Sequence, residues 1–312
     1  MVTEIPAEVV LDARAVLGEG PVWDTRAHVL WWVDIEGQRI HRFDPASEHD
    51  VAIETASAPG AVALGADGGL VAAFADGIRL LDGAALDRTP PVPADSWRPL
   101  VSFERPQDVR CNDAKCDPAG RLLVGRMAWD ERRVGALLAV EPDGSVRRLL
   151  DGLSIPNGMA WTADGGTFYF IDTPDRRIDA WDYDVSVGTI ERRRTHVAFA
   201  GDDPASPDGM TIDVEGGLWV ACWGGWAVRR FTPDGTLDAV IRVAAAQVTS
   251  CTFGGPDLRD LYITTAARGI APGDRGAQPA AGGIFRARPG VAGVAPHRFA
   301  GEGRVDTSVP RP

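Results

Sequence analysis

Residues 117–125 read DPAGRLLVG, an Asp-anchored turn that runs straight into a short apolar strand. The same phrase recurs along the chain. DTRAHVLWWVDI begins at Asp24, ADGGLVAAF at Ala66, ADGGTFYFID at Ala163, DVEGGLWVA at Asp213 and GPDLRDLYIT at Gly255. With Asp24, Asp67, Asp117, Asp164, Asp213 and Asp257 as markers, the spacings are 43, 50, 47, 49 and 44 residues, so six units fill nearly the whole chain.

Each unit carries a later strand of alternating residues: RIHRFD at Arg39, GIRLLD at Gly77, GALLAVEPDG at Gly135, RIDAWDYD at Arg177, AVRRFTPDG at Ala227 and GIFRARPG at Gly283. Short strands rich in β-branched and aromatic residues, punctuated by Asp-Gly turns and almost free of helical periodicity, predict an all-β array. About four antiparallel strands in a unit of this length describe a propeller blade, so the expected architecture is a six-bladed β-propeller. Length alone allows two ordinary domains for 312 residues, but the repeat favours one, residues 1–312, with a loose tail from about 301. EVVLDAR at Glu8 is expected to lend a strand to the blade containing GIFRAR. The Gly/Pro-rich stretches Thr89–Pro99 and Gly269–Gly283 are expected to be loops.

The formal charge is -12, with 44 acidic against 32 basic residues. That sign opposes nucleic acid and anionic membrane as partners and suits a cation. No stretch approaches the roughly 18 apolar residues of a membrane span, and the amino-terminal sequence has no basic leader, so the expected location is cytoplasmic. The four cysteines form no C-x-x-C pair, and no G-x-S-x-G accompanies the five scattered histidines. A disulfide framework, a zinc site of Cys or His, and a serine-triad hydrolase all lose support.

A second repeat lies just ahead of each marker. Glu19-Gly20-Pro21, Asn157-Gly158-Met159 and Asp208-Gly209-Met210 share one slot with Asn112-Asp113-Ala114, and the other two units place Pro59-Gly60 and Ser250 there. Rotational repetition should bring Glu19, Asn112, Asn157 and Asp208 to one mouth of a central channel. Carboxylates and amides without His or thiolate are hard oxygen ligands, suited to calcium, magnesium or manganese. The competing reading is that these strings are turn sequences only, since Asn-Gly and Asp-Gly favour tight turns anywhere. Their recurrence in phase argues for the site. Asp34 and Asp172, at strand ends, are expected to accept structural hydrogen bonds. Trp31, Trp32, Trp161 and Trp219 are expected in blade packing, and Trp129 and Trp223 near the mouth.

At these residues the sequence resembles the senescence marker protein (regucalcin), gluconolactonase and sugar-lactone lactonase family. The matching strings are LGEGPVW at Leu17, R-x-N-D at Arg110 with KCDPAGRLLVGRM following, PNGMAW at Pro156, FIDT at Phe170, PDGMTID at Pro207 and GGLWVACWGG at Gly216, spanning about Leu17 to Arg286. The resemblance implies a six-bladed propeller that holds one divalent metal and hydrolyses small sugar lactones. Carried over by position, it implies Glu19, Asn157 and Asp208 as metal ligands, Arg110 and Asn112 as substrate contacts, and an acidic substrate contact near Asp130 within MAWDERR. Calcium is the first expectation for the metal, with zinc, manganese, magnesium or ferrous iron as alternatives.

The expected reaction is metal-assisted hydrolysis of an intramolecular ester, the metal polarising the lactone carbonyl and Asp208 serving as general base. The partner is then a small-molecule sugar lactone, and the chain a monomer or weak homo-oligomer. Two other classes remain open on sequence: a non-catalytic calcium-binding or scaffold propeller, and an esterase or organophosphate hydrolase on the same fold.

Overall fold

In the computed structural model of the chain, which describes residues 2–86, 96–104, 108–271 and 273–301, six four-stranded blades stand in a ring, a six-bladed β-propeller. Blade one runs Gly18–Asp24, Val29–Asp34, Arg39–Asp44 and His49–Glu54 from the axis outward. The other innermost strands are Pro59–Leu64, Val109–Cys116, Pro156–Trp161, Ser206–Ile212 and Val248–Gly254.

The marker aspartates make the turns after these strands. In each unit the marker carboxylate accepts the backbone N–H two residues on, at 2.9–3.2 Å, from Arg26, Gly69, Ala119, Gly166, Glu215 and Arg259. Such an Asx turn satisfies a donor that the reversal leaves unpaired, which is why the sequence period is so legible.

The core is divided among six seams between blades. Successive side chains of a strand point to opposite faces, so Val29, Trp31 and Val33 fill the seam with blade two, while Leu30 and Trp32 fill the seam with blade six. Trp23 stacks on Tyr262 across that second seam, with ring centroids 5.4 Å apart. Trp161 and Trp219 are likewise buried in seams.

The ring closes as expected: Glu8–Leu11 pairs antiparallel with Ile284–Ala287 and becomes the outermost strand of blade six. A further strand, Thr3–Pro6, lies parallel to Leu237–Arg242 and gives blade five a fifth strand. Residues 291–300, unmarked by any strand pattern, cross the face away from the predicted mouth. They hydrogen-bond to the turn-side ends of blades two, three, five and six, through Phe299 to Leu64, Ala300 to Gly120, Val214 to Ala292 and Gly293 to Leu258.

The end of the predicted loop Thr89–Pro99 departs from expectation. Arg98–Ser102 is the outer strand of blade two, paired with Gly77–Leu81, because the repeat needs a fourth strand there. Residues 89–95 of that stretch, and the predicted tail beyond Gly301, lie outside the described residues. Residues 269–271 and 273–283 lie in no strand and include one short turn of helix at Arg275–Ala277.

Candidate metal and substrate site

Every innermost strand carries a bulge near its mouth end, where the register to its neighbour slips. The slip falls between Glu19 and Val22, Cys111 and Ala114, Pro156 and Met159, and Pro207 and Met210, with equivalents in blades two and six. A bulge releases residues from the ladder and re-aims their side chains. Asn112, Asn157 and Asp208 are the released residues, and Glu19 stands at the edge of its bulge. Gly20, just after Glu19, takes φ +50°, and a side chain at Gly158 would lie 2.7 Å from the Asp208 carbonyl oxygen. The glycines after Glu19 and Asn157 are thus set by backbone conformation and by close approach, respectively.

Glu19, Arg110, Asn112, Asn157 and Asp208 all line one cleft of about 390 Å³ at this mouth. Ligand sites of small molecules begin near this size. Leu17, Met127, Ile155 and Trp223 give it apolar walls, and Glu131 and Arg268 add charge. Trp129 lies beside the cleft, its ring 4.7 Å from the Arg110 guanidinium carbon.

A chain of hydrogen bonds orients the amides. Arg110 Nη1 donates to Asn112 Oδ1 at 2.5 Å, and Asn112 Nδ2 donates to Asn157 Oδ1 at 2.6 Å and to the Pro156 carbonyl at 2.9 Å. Asn157 Nδ2 then donates to Thr173 Oγ1, and Thr173 donates to the Pro207 carbonyl, both at 2.8 Å. Guanidinium can only donate. Its contact therefore fixes Asn112 with oxygen toward Arg110, which in turn requires Asn157 to present its oxygen. The bonds cross blades three, four and five.

The two carboxylates are less satisfied. Glu19 Oε2 accepts the Gly20 N–H at 3.0 Å, and Asp208 Oδ1 is buried with no hydrogen-bond partner. Burial pushes the Glu19 carboxyl up to about 8, with Asp113 adding to the rise and the Gly20 N–H and Arg110 opposing it. Asp208 is held well above the ordinary carboxylate range, by burial first and then by Glu19 and Asp113. Burial brings Arg110 down to about 10, so it stays protonated near neutral pH. Below the mouth, Lys115 Nζ donates to the Met210 carbonyl at 2.7 Å and its charge offsets that of the buried Asp113.

Among the described residues no three His, Cys, Asp or Glu side chains cluster as a metal site by themselves. The donor set at the mouth is instead two carboxylates and the Asn157 amide oxygen, which has a second lone pair left after the bond from Asn112. A buried carboxylate oxygen without a donor is a costly group in the absence of a cation. All-oxygen donors with an orphaned carboxylate fit a hard divalent ion.

The structure thus brings together Glu19, Arg110, Asn112, Asn157 and Asp208. Asp130 is not among them: its side chain is exposed and ion-paired with Arg132 at 2.5 Å. Glu131, the next residue, lines the cleft from a left-handed backbone conformation with φ 60°. That local twist exchanges which side chain faces the mouth, and the string MAWDERR holds no period from which to read it. Thr173 and Arg268 also escaped the sequence reading. Thr173 ends the quoted FIDT, whereas Arg268 sits in a loop with no repeated partner. Asp34 and Asp172 are structural acceptors as expected, Asp34 from the N–H groups of Val16, Leu17 and Gly37, and Asp172 from those of Ser154 and Ile155.

Residues 17–267 match the family model described as SMP-30/gluconolactonase/LRE-like region. Regucalcin of Xenopus laevis is 36% identical over 307 residues, covering 96% of this chain and 100% of its own. Pentonolactonase XacC of Haloferax volcanii is 39% identical over 284 residues, covering 89% and 92%. Among solved structures, the calcium-binding protein regucalcin from Agrobacterium tumefaciens superposes with a TM-score of 0.88 at 28% identity, over 96% of this chain and 99% of that one.

Proposed function

The chain belongs to the SMP-30/gluconolactonase/LRE-like family, and from that premise we propose that it is a lactonase opening a small sugar lactone to the sugar acid. The observation that carries this reading is the meeting, in one cleft, of an orphaned Asp208 carboxylate with a guanidinium-led amide chain. An ion-binding site alone has no use for an arginine beside it.

Glu19, Asn157 and Asp208 would hold one divalent cation, calcium first by donor chemistry. Bound there, such an ion supplies Lewis acidity toward a carbonyl oxygen. The protein's own groups do the rest. Water attacks the lactone carbonyl carbon, its proton passes to Asp208, and the ring C–O bond breaks as that proton is delivered to the departing alkoxide. Arg110 and Asn112 orient the ring oxygen and hydroxyls, and Glu131 accepts from a sugar hydroxyl. The walls of Leu17, Met127, Ile155 and Trp223 exclude competing water.

General base catalysis contributes about 10²–10⁴-fold, so Asp208→Ala should lower kcat by at least that range in a pH-stat assay on a panel of aldonolactones. The assay is run on chelated protein and after restoring calcium, magnesium, manganese, zinc or ferrous iron. No turnover above background with any metal overturns the lactonase reading, and full activity in Asp208→Ala overturns the assignment of the base.

A further inference from the structure

Arg268 is a second guanidinium lining the cleft, and the orientation of a neutral sugar lactone by Arg110 and Asn112 does not require it. Its backbone is braced at the seam between blades six and one. Ala267 and Arg268 donate their N–H groups to the carbonyls of Ala15 and Val16 at 3.2 and 2.9 Å, and Gly269 turns the chain at φ +76°. The side chain is 38% exposed, and among the described residues its ion pair is with Glu36, through Nε at 3.2 Å. Glu36 does not line the cleft. The two Nη groups make no hydrogen bond among the described residues, which leaves the forked edge that pairs with an oxyanion.

Charge balance points the same way. The cleft is lined by three acidic side chains, Glu19, Glu131 and Asp208, and two basic ones, Arg110 and Arg268. Adding one divalent cation leaves a single net positive charge among the lining groups. Glu36 meets part of that charge from outside the cleft, through the Nε side of Arg268, and among the described residues the two Nη groups are left without an anion. Arg110 and Arg268 also lie close enough that the charge of one disfavours the charge of the other, a repulsion that an anion between or beside them relieves.

Resting on the lactonase reading above, we propose that the substrate carries an anionic group at the end of its carbon chain remote from the lactone carbonyl, and that Arg268 is the specificity-determining residue that receives it. The shared chemistry is an oxyanion. With Glu36 already beside Arg268, a singly charged carboxylate, as in a lactone of an aldaric acid, fits better than a doubly charged phosphate.

The test compares glucono-1,5-lactone, glucaro-1,4-lactone and 6-phosphoglucono-1,5-lactone on the metal-loaded wild type, Arg268→Gln and Arg268→Lys. Loss of a charged hydrogen bond is expected to lower kcat/KM for the carboxylate-bearing lactone roughly 10- to 100-fold more than for the neutral one, mainly through KM, with partial recovery in Arg268→Lys. A preference for the phosphate-bearing lactone that depends on Arg268 assigns the oxyanion to phosphate and overturns the carboxylate. Equal effects of Arg268→Gln on all three lactones, or faster turnover of the neutral one by the wild type, overturn the proposal while leaving the lactonase intact. Should no lactone react, calorimetric binding of glucarate against gluconate still decides: glucarate must bind the wild type more tightly, and Arg268→Gln must abolish the difference.

Discussion

Thr173→Val is the sharpest probe of the hydrogen-bond chain that orients Asn157. The substitution keeps the shape of the side chain and removes one hydroxyl, which both accepts from Asn157 Nδ2 and donates to the Pro207 carbonyl at 2.8 Å. Asn157 is buried, so its amide N–H is left short of a partner. It cannot escape by flipping, because a turned amide would set its NH2 group against the NH2 group of Asn112, whose own orientation Arg110 dictates. Each unsatisfied buried group costs about 1–3 kcal/mol. Water entering from the cleft can replace one of the two partners, which leaves one unsatisfied group and puts the net loss of stability at about 1–3 kcal/mol. If Asn157 is a ligand, the loosening should also weaken cation binding by about 10- to 100-fold, the usual effect of removing a group that orients a metal ligand. Calorimetric titration of the chelated protein with calcium reads the second effect, and denaturant unfolding reads the first. Thr173→Ser, which retains the hydroxyl, should stay near wild type in both. Wild-type calcium affinity in the valine variant, or equal damage from serine, would refute the reasoning.

Two further outcomes follow from groups remote from the mouth. Asp117 is fully buried and accepts from Arg121 Nη1 at 2.9 Å, Tyr183 at 2.6 Å and the N–H groups of Ala119 and Arg121. Asp117→Ala leaves the Tyr183 hydroxyl and the N–H groups of Ala119 and Arg121 without their acceptor, while Arg121 keeps Glu141, and should cost about 3 kcal/mol or more in denaturant unfolding; a loss below about 1 kcal/mol would count against it. His196 packs against Tyr169 with Nε2 enclosed, and burial, helped by Arg194, holds its pKa below the ordinary value while Asp234 opposes the shift. The unfolded chain then binds the proton more readily, so this contribution is present above the unfolded pKa of about 6.5 and is lost as pH falls through the lower folded value. Thermal unfolding from pH 7 to 5 should show a shallower loss in His196→Phe than in wild type.

The ring and the mouth were legible in the sequence for one reason: both repeat. The marker aspartates recur because each closes the same turn, and Glu19, Asn112, Asn157 and Asp208 recur because each stands at the same bulge. A signal that needs only phase to be seen survives divergence of everything between. Glu131 and Arg268 lie on loops that differ from blade to blade, so no phase locates them. Asp130, the acidic contact expected from MAWDERR, lies one residue from Glu131, and a left-handed turn there is enough to put Glu131 rather than Asp130 at the cleft. The strap at residues 291–300 was hidden for a related reason, since it crosses the blades and has no partner unit to repeat.

The pairing of Glu8–Leu11 with Ile284–Ala287 joins segments about 275 residues apart. On a ribosome adding roughly 5–20 residues per second, the first partner waits on the order of 15 s to a minute for the second. Throughout that interval the face of blade one that carries Trp23, Leu30, Trp32 and Phe43 has no cover, because Tyr262 and Ile284 arrive with the last blade. The nascent chain therefore grows as an open arc with one wet aromatic edge, a surface on which a holding chaperone or a neighbouring nascent chain can settle. Closure removes the edge in a single late event, so the vulnerability of this protein in the cell is set less by its finished stability than by the order in which its residues emerge.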